Sequence, residues 1–211
     1  MTYYNITSSI NYSYDSRYCV KIGCEIKILP NDPMDETLIG MVDFYKILLD
    51  TAIEDGYSPF NVFDTYESTM QVGQHIFDFK NWDWDRKIYK YYKTEFLPTN
   101  LIVLARIMIL PEYRGQKIAQ RVLKDIYNIF HDGCLFVLKC FPLQHEAGLE
   151  SNPWYPKMQF DQFPKGTKGF GKLYGYYREI GFESILGIPR DIMFLNPDEP
   201  TKKFENIKLD D

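Results

Sequence analysis

The sequence has few cysteines, few histidines and no surplus of positive charge. Its four cysteines, Cys19, Cys24, Cys134 and Cys140, match neither the close CxxC pairs of a zinc site nor the dense framework of a disulfide-stapled domain. They read as buried free thiols. The three histidines, His75, His131 and His145, stand apart and lack metal-ligand spacing, so no metal is expected. Acidic residues outnumber Lys and Arg by 29 to 24, a net charge of -5. This disfavours unassisted binding to nucleic acid or to an anionic membrane, because phosphate contacts need a basic field. Long apolar runs are missing too: none approaches the roughly 20 residues that span a bilayer. Met1-Thr2-Tyr3-Tyr4-Asn5 lacks the basic-then-apolar pattern of a signal peptide. These absences point to a cytoplasmic chain with no membrane and no nucleic-acid partner.

What is present is an ordinary globular composition, 45% hydrophobic and 25% charged, with an aromatic excess of 17 Tyr and 15 Phe that suits broad contact surfaces. A length of 211 residues fits one domain, read over 1–195, followed by a charged, proline-interrupted surface tail over 196–211. Alternation at Val20, Ile22, Cys24, Ile26 and Ile28 predicts a half-buried strand over 18–29, ended by Pro30-Asn31-Asp32-Pro33. A second strand follows over 38–49. Asp64 or Ser68 is placed to cap a helix carrying Met70, Val72, Ile76 and Phe77. The stretch 78–96 mixes charge with Trp82, Trp84, Tyr89, Tyr91 and Tyr92 in no single period. Its structure stays open, and packing against the body is favoured over base stacking because its acids offset its bases.

The run LIVLARIMIL over 101–110 is almost wholly apolar and predicts a central strand covered on both faces. Pro111-Glu112-Tyr113-Arg114-Gly115 follows. Ile118, Ala119, Val122, Leu123, Ile126, Tyr127 and Phe130 then recur at helical spacing until His131-Asp132-Gly133 stops them. CLFVLKCF over 134–141 predicts a second buried strand, with Cys134 and Cys140 on one face, and completes a strand–helix–strand unit. The irregular stretch 144–169 is longer than an ordinary connector and reads as a lid or specificity loop. A short helix over 172–180 is expected to end at Gly181, with two further short strands over 182–188 and 192–195.

A strand that enters a glycine-bearing turn and then a helix gathers unpaired backbone N–H groups and the positive end of the helix dipole at one point. Arg114 adds a bidentate phosphate donor, Gly115 permits close backbone approach, and Lys117 adds a further charge. Such a point suits a pyrophosphate. A dinucleotide fingerprint needs more glycines than Gly115, and a P-loop needs Gly-Lys-Ser/Thr, which is absent.

Two segments, Arg114-Gly115-Gln116-Lys117-Ile118-Ala119 after ILPEY and Tyr177-Arg178-Glu179-Ile180-Gly181-Phe182 downstream, together resemble the GNAT superfamily of N-acetyltransferases. The likeness spans about residues 100–195. Lys117 stands where that family has glycine, and Phe170 where many members carry asparagine. The resemblance implies an α/β fold of mixed α+β character: a central twisted, mostly antiparallel sheet with splayed parallel central strands, flanked by helices. It implies acetyl-CoA as acyl donor, with the pantetheine arm along Ile107 and Ile109 and the pyrophosphate on Arg114, Gly115, Gln116, Lys117, Ile118 and Ala119. It also implies Tyr177 as the acid that assists thiolate departure.

The acceptor implied is a primary amine of a small molecule or protein, and net acidity hints at a cationic one. The general base is left among Asp64, Glu67, Glu95 and Glu146; His145 is read as an exposed loop histidine in preference to one bordering the pocket. An inactive coenzyme-binding or protein-binding module stays open as the alternative, as does the oligomeric state, a homodimer included.

Overall fold

The computed structural model describes residues 2–9, 17–28, 37–146, 148–195 and 202–208. Alternating side chains build β2 (Cys19–Ile28), which pairs antiparallel with β1 (Thr2–Ser9) and with β3 (Thr37–Ile47). Ile47 ends β3, and the chain turns at once into α1 (Leu49–Glu54) and then α2 (Pro59–Phe63). The apolar run becomes β6 (Asn100–Ile109), antiparallel to β3 and parallel to β7 (Cys134–Lys139). With β8 (Ile192–Leu195) antiparallel on the far edge, the described strands form a six-stranded sheet in the order β1-β2-β3-β6-β7-β8. The architecture is therefore mixed α/β with a mostly antiparallel sheet flanked by helices.

Each sheet face carries its own core. On one side, Ile102, Leu104, Phe136 and Leu138 pack under α5 (Ile118–Phe130) and α6 (Gly166–Glu179). On the other, Leu101, Val103, Leu135 and Val137 meet Leu49, Phe63, Val72 and Ile88 from α1, α2, α3 (Glu67–Ile76) and α4 (Arg86–Tyr92). Burial on both faces explains why β6 and β7 read as continuous apolar runs. Among the described residues, no helix is long and apolar enough to cross a membrane.

Several expectations are corrected. Neither Asp64 nor Ser68 caps α3: Tyr66 occupies the cap, and no side-chain bond is made there. The open stretch 78–96 contains a two-residue hairpin, β4 (Phe77–Asp78) against β5 (Asp83–Trp84), and then α4, whose first turn is capped by Asp85 accepting from Lys87 N–H at 2.8 Å. Its aromatic Trp84 is buried. No strand forms over 182–188; only Glu183 bridges to Phe194.

α6 starts six residues before the expected 172, because Gly166, Gly169 and Gly171 mask its helical pattern. Gly169 is required by contact, since a Cβ there would lie 2.3 Å from the Pro164 carbonyl oxygen. The Pro30-Asn31-Asp32-Pro33 break and residues 196–201 and 209–211 of the tail lie outside the described residues. Between those tail segments, α7 (Lys202–Glu205) is not a surface extension. Phe204 is 1% exposed and packs edge-on to Tyr127, while Lys124 donates to the Ile207 carbonyl at 2.6 Å.

All four cysteines are free and buried. Burial pushes the thiols of Cys19 and Cys140 up to about 12, and those of Cys24 and Cys134 up to about 11. The unfolded value lies near ~8.5, so stability linked to the neutral thiols is complete below that pH and is lost as pH rises through the folded values. The denaturant midpoint is therefore expected to fall steadily above about pH 9, with a thiol reagent at pH 8 reacting fully only after unfolding. Phe204→Ala should cost about 3 kcal/mol in the same unfolding assay, whereas a tail that merely lay on the surface would change it by less than about 0.5.

Candidate functional site

The parallel ladder between β6 and β7 runs from Asn100↔Cys134 to Leu104↔Leu138 and stops. Two local causes act there. Against β3, the register slips so that Asp43 faces Arg106 and Phe44 faces Leu104, leaving Ala105 as an extra residue. Such a bulge bends its strand away from the neighbour. On β7, Pro142 follows within four residues of the last pair and brings no N–H to continue a ladder. The strands part, and a cleft of about 550 Å³ opens between them.

The cleft runs to the turn before α5. Gly115 (φ 79°) and Lys117 (φ 60°) are both left-handed, a backbone alternation that turns successive N–H groups toward one concavity. No side chain caps α5, and Ile118, Ala119 and Gln120 at its start all border the cleft. Its first N–H groups and dipole therefore face an open anion position. Of the residues expected to hold the coenzyme, Ile107, Ile109, Arg114, Gly115, Lys117, Ile118 and Ala119 line the cleft. Gln116 does not: its amide donates to the Glu112 carbonyl at 3.3 Å.

Arg114 is engaged differently from a free phosphate donor. Its Nε donates to the Ile109 carbonyl at 3.0 Å and its Nη2 to the Met158 carbonyl at 2.7 Å, with the guanidinium 4.6 Å above the Phe163 ring. Desolvation lowers its pKa. The Ile109 carbonyl is consequently already occupied on the strand expected to pair with an extended ligand. The same contacts strap the loop over 143–163 onto the end of β6, where Met158 and Phe160 bury against Met108. The loop is a chain of single 3-10 turns: Leu143–His145, Leu149–Ser151, Tyr155–Met158 and Phe160–Gln162.

Tyr177 lies on α6, 6% exposed, and borders the cleft. Among the described residues its hydroxyl has no hydrogen-bond partner; its ring packs edge-on to Phe182 and Tyr176. Phe182 N–H returns to the Tyr177 carbonyl at 3.0 Å and closes the helix at Gly181. Burial first, then Tyr176 and Cys140, raise the Tyr177 pKa well above the ordinary tyrosine value. Tyr177, the residue that the resemblance implies as the acid, therefore keeps its proton across the physiological range.

None of the proposed bases lines the cleft. Asp64 and Glu95 are exposed, Glu67 accepts from Gln71 at 2.7 Å, and Glu146 pairs with Arg106. His145 is exposed, as expected of a loop histidine, and its Nε2 accepts from Gly166 N–H at 3.1 Å at the start of α6. Phe170 stacks on Tyr174.

The residue the sequence reading missed is Asp43, 8% exposed on β3, with Arg106 Nη1 3.5 Å from its carboxylate. The available signal was a lone acid inside GMVDFYKI, a strand whose only other charged residue is Lys46. Among the described residues, no three His, Cys, Asp or Glu side chains gather as a metal site requires.

A non-glycine residue held left-handed costs roughly 1 kcal/mol. Lys117→Gly should therefore raise unfolding stability by about 0.5–1 kcal/mol. Gly115→Ala should lower it by about 1 kcal/mol, through backbone strain alone, because an added Cβ there meets nothing within 4 Å. Chemical denaturation of both variants measures the two signs. Comparison of the chain with family models, with curated proteins and with solved structures finds no match.

Proposed function

We propose that the protein is an N-acyltransferase that moves an acyl group, in the first instance acetyl, from acyl-CoA to a primary amine. The observation that carries this reading is the cleft between the parted strands β6 and β7, which leads from Tyr177 to the uncapped start of α5. A long ligand with an anionic end and a reactive opposite end suits such a channel. The resemblance of Arg114 to Ala119 and of Tyr177 to Phe182 to the GNAT superfamily supports the same reading, as does the mostly antiparallel sheet with one parallel pair in its interior.

In this reading the residues divide the work by chemistry. Backbone N–H groups from Gly115 to Ala119, with Lys117, hold the pyrophosphate at the positive end of α5. The unpaired edge of β6 beyond Leu104 offers backbone groups to the pantetheine arm. The amine adds directly to the thioester carbonyl, the C–S bond breaks, and the proton that the nitrogen gives up ends on the coenzyme sulfur as free thiol, so no acyl-enzyme forms. The departing thiolate receives a hydrogen bond from Tyr177, whose raised pKa makes it a fixed donor rather than an acid matched to a thiol near ~8.5. The apolar walls of Leu104, Leu138 and Phe160 keep water from the thioester.

A second reading keeps coenzyme binding and drops turnover. It is favoured by Arg114, whose guanidinium is spent on the Ile109 and Met158 carbonyls. The two readings separate in one experiment, with acetyl-CoA and a panel of primary amines, free thiol followed by absorbance and coenzyme affinity by calorimetry. Thiol release that depends on the amine is the expected result. Tyr177→Phe is expected to lower kcat by about tenfold to a hundredfold with coenzyme affinity unchanged. Undiminished turnover removes Tyr177 from the reaction, and binding without thiol release on every amine replaces the transferase by the module.

A further inference from the structure

Among the described residues, five cationic side chains, Arg106, Arg114, Lys117, Lys139 and Lys172, line the cleft and no carboxylate does, in a chain whose net charge is -5. Arg114 and Lys117 lie in the turn before α5, and Lys172 lies on α6. Arg106 and Lys139 lie elsewhere, one on each strand where β6 and β7 part: Lys139 directly follows the last paired residue, Leu138, and Arg106 stands one residue beyond the bulge at Ala105. A pyrophosphate at the start of α5 leaves these two cations unused.

Their partners differ. Arg106 holds Asp43 at 3.5 Å and also Glu146, while its Nε is shielded from solvent and has no hydrogen-bond partner among the described residues. Lys139 is half-buried, and among the described residues its ammonium meets only the Gln71 side-chain carbonyl at 2.9 Å. Glu67 stands behind Gln71, bonded to the amide nitrogen at 2.7 Å.

Around the parting, Arg106 and Lys139 are therefore balanced by Asp43 and Glu146, but the two acids are not equivalent. Asp43 is fixed in β3 with its side chain 11% exposed; Glu146 comes from the loop and is 32% exposed. A ligand carboxylate that replaced Glu146 on Arg106 would keep the charge balance and give Lys139 an ionic partner. An ammonium in that place would face two cations.

We propose that Lys139 and Arg106 form a carboxylate subsite at the parting of β6 and β7, with Glu146 as its placeholder when no ligand is bound. The subsite rests on the acyl-transfer reading and narrows its substrate class. The carboxylate belongs either to the donor, as an ω-carboxyacyl group such as succinyl, or to an acceptor that carries a carboxylate beside its amine.

Equilibrium binding distinguishes these sources without requiring turnover. Calorimetry compares succinyl-CoA with acetyl-CoA and then, with coenzyme A bound, phenylalanine with phenethylamine, which differ only by the carboxylate. In one of the two pairs the carboxylate-bearing member is expected to bind about tenfold or more tightly. The succinyl preference identifies the donor as its source and the phenylalanine preference the acceptor.

Lys139→Gln, which leaves the Arg106 ion pairs in place, is expected to erase the preference with acetyl-CoA affinity unchanged. Glu146→Gln, which removes the competitor, is expected to preserve or enlarge it. The subsite is overturned if acetyl-CoA binds and neither pair shows a preference, if the preference survives Lys139→Gln, or if Glu146→Gln erases it. Failure of both coenzyme thioesters to bind overturns the acyl-transfer reading together with the subsite.

Discussion

The parallel ladder of β6 and β7 lasts for five residue pairs, and its early end shapes the rest of the molecule. Up to Leu104 and Leu138, the two strands form the centre of the sheet and anchor both cores. Beyond that point their backbones no longer satisfy each other, and buried backbone groups left without partners carry a cost of about 1–3 kcal/mol each. The surplus residue at Ala105 and the missing N–H of Pro142 hold the strands apart. α5 fills the inside of the connection and presents its uncapped start to the resulting gap. Cleft, turn and loop are thus consequences of one interrupted ladder.

Polarity is distributed along that gap in a graded way. The start of α5 offers backbone dipoles and exposed Lys117, where charge is screened by water. The middle is apolar. The far end holds Asp43, Arg106 and Glu146, partly withdrawn from solvent, where an ion pair is sensitive to the loss of either member. The hydroxyl of Tyr177, which has no hydrogen-bond partner among the described residues, belongs to the same gradient. Its donor is left available by the packing of Phe182 and Tyr176 around its ring, which shields the phenol and holds its proton on.

Strong periodicity carried most of the fold. β6, α5 and β7 were legible almost to the residue because long apolar runs and a helical stripe ended at Gly133 leave little choice of element. Where local propensity and tertiary contact disagree, the reading slipped. Three glycines obscured the first turns of α6, although the Pro164 carbonyl requires one of them. Phe204 looked like tail because its flanks are charged, yet a single phenyl ring finds a slot beside Tyr127.

At the site, the residues of the turn were identifiable from motif and spacing, while their side-chain engagements were not. Arg114 bends back to carbonyls 5 and 44 residues away in sequence. Asp43 meets Arg106 through a register that no single strand encodes.

The position of Arg114 has one further physical consequence. The same guanidinium closes the loop, through Met158 and Phe163, and stands beside the open anion position at α5. Any anion that draws it away from Met158 loosens the loop by the free energy of the bonds exchanged. By reciprocity, any molecule that tightens the loop weakens the anion's hold by the same amount. The loop and an anion at the start of α5 therefore compete for one donor, and that competition requires no strand to move.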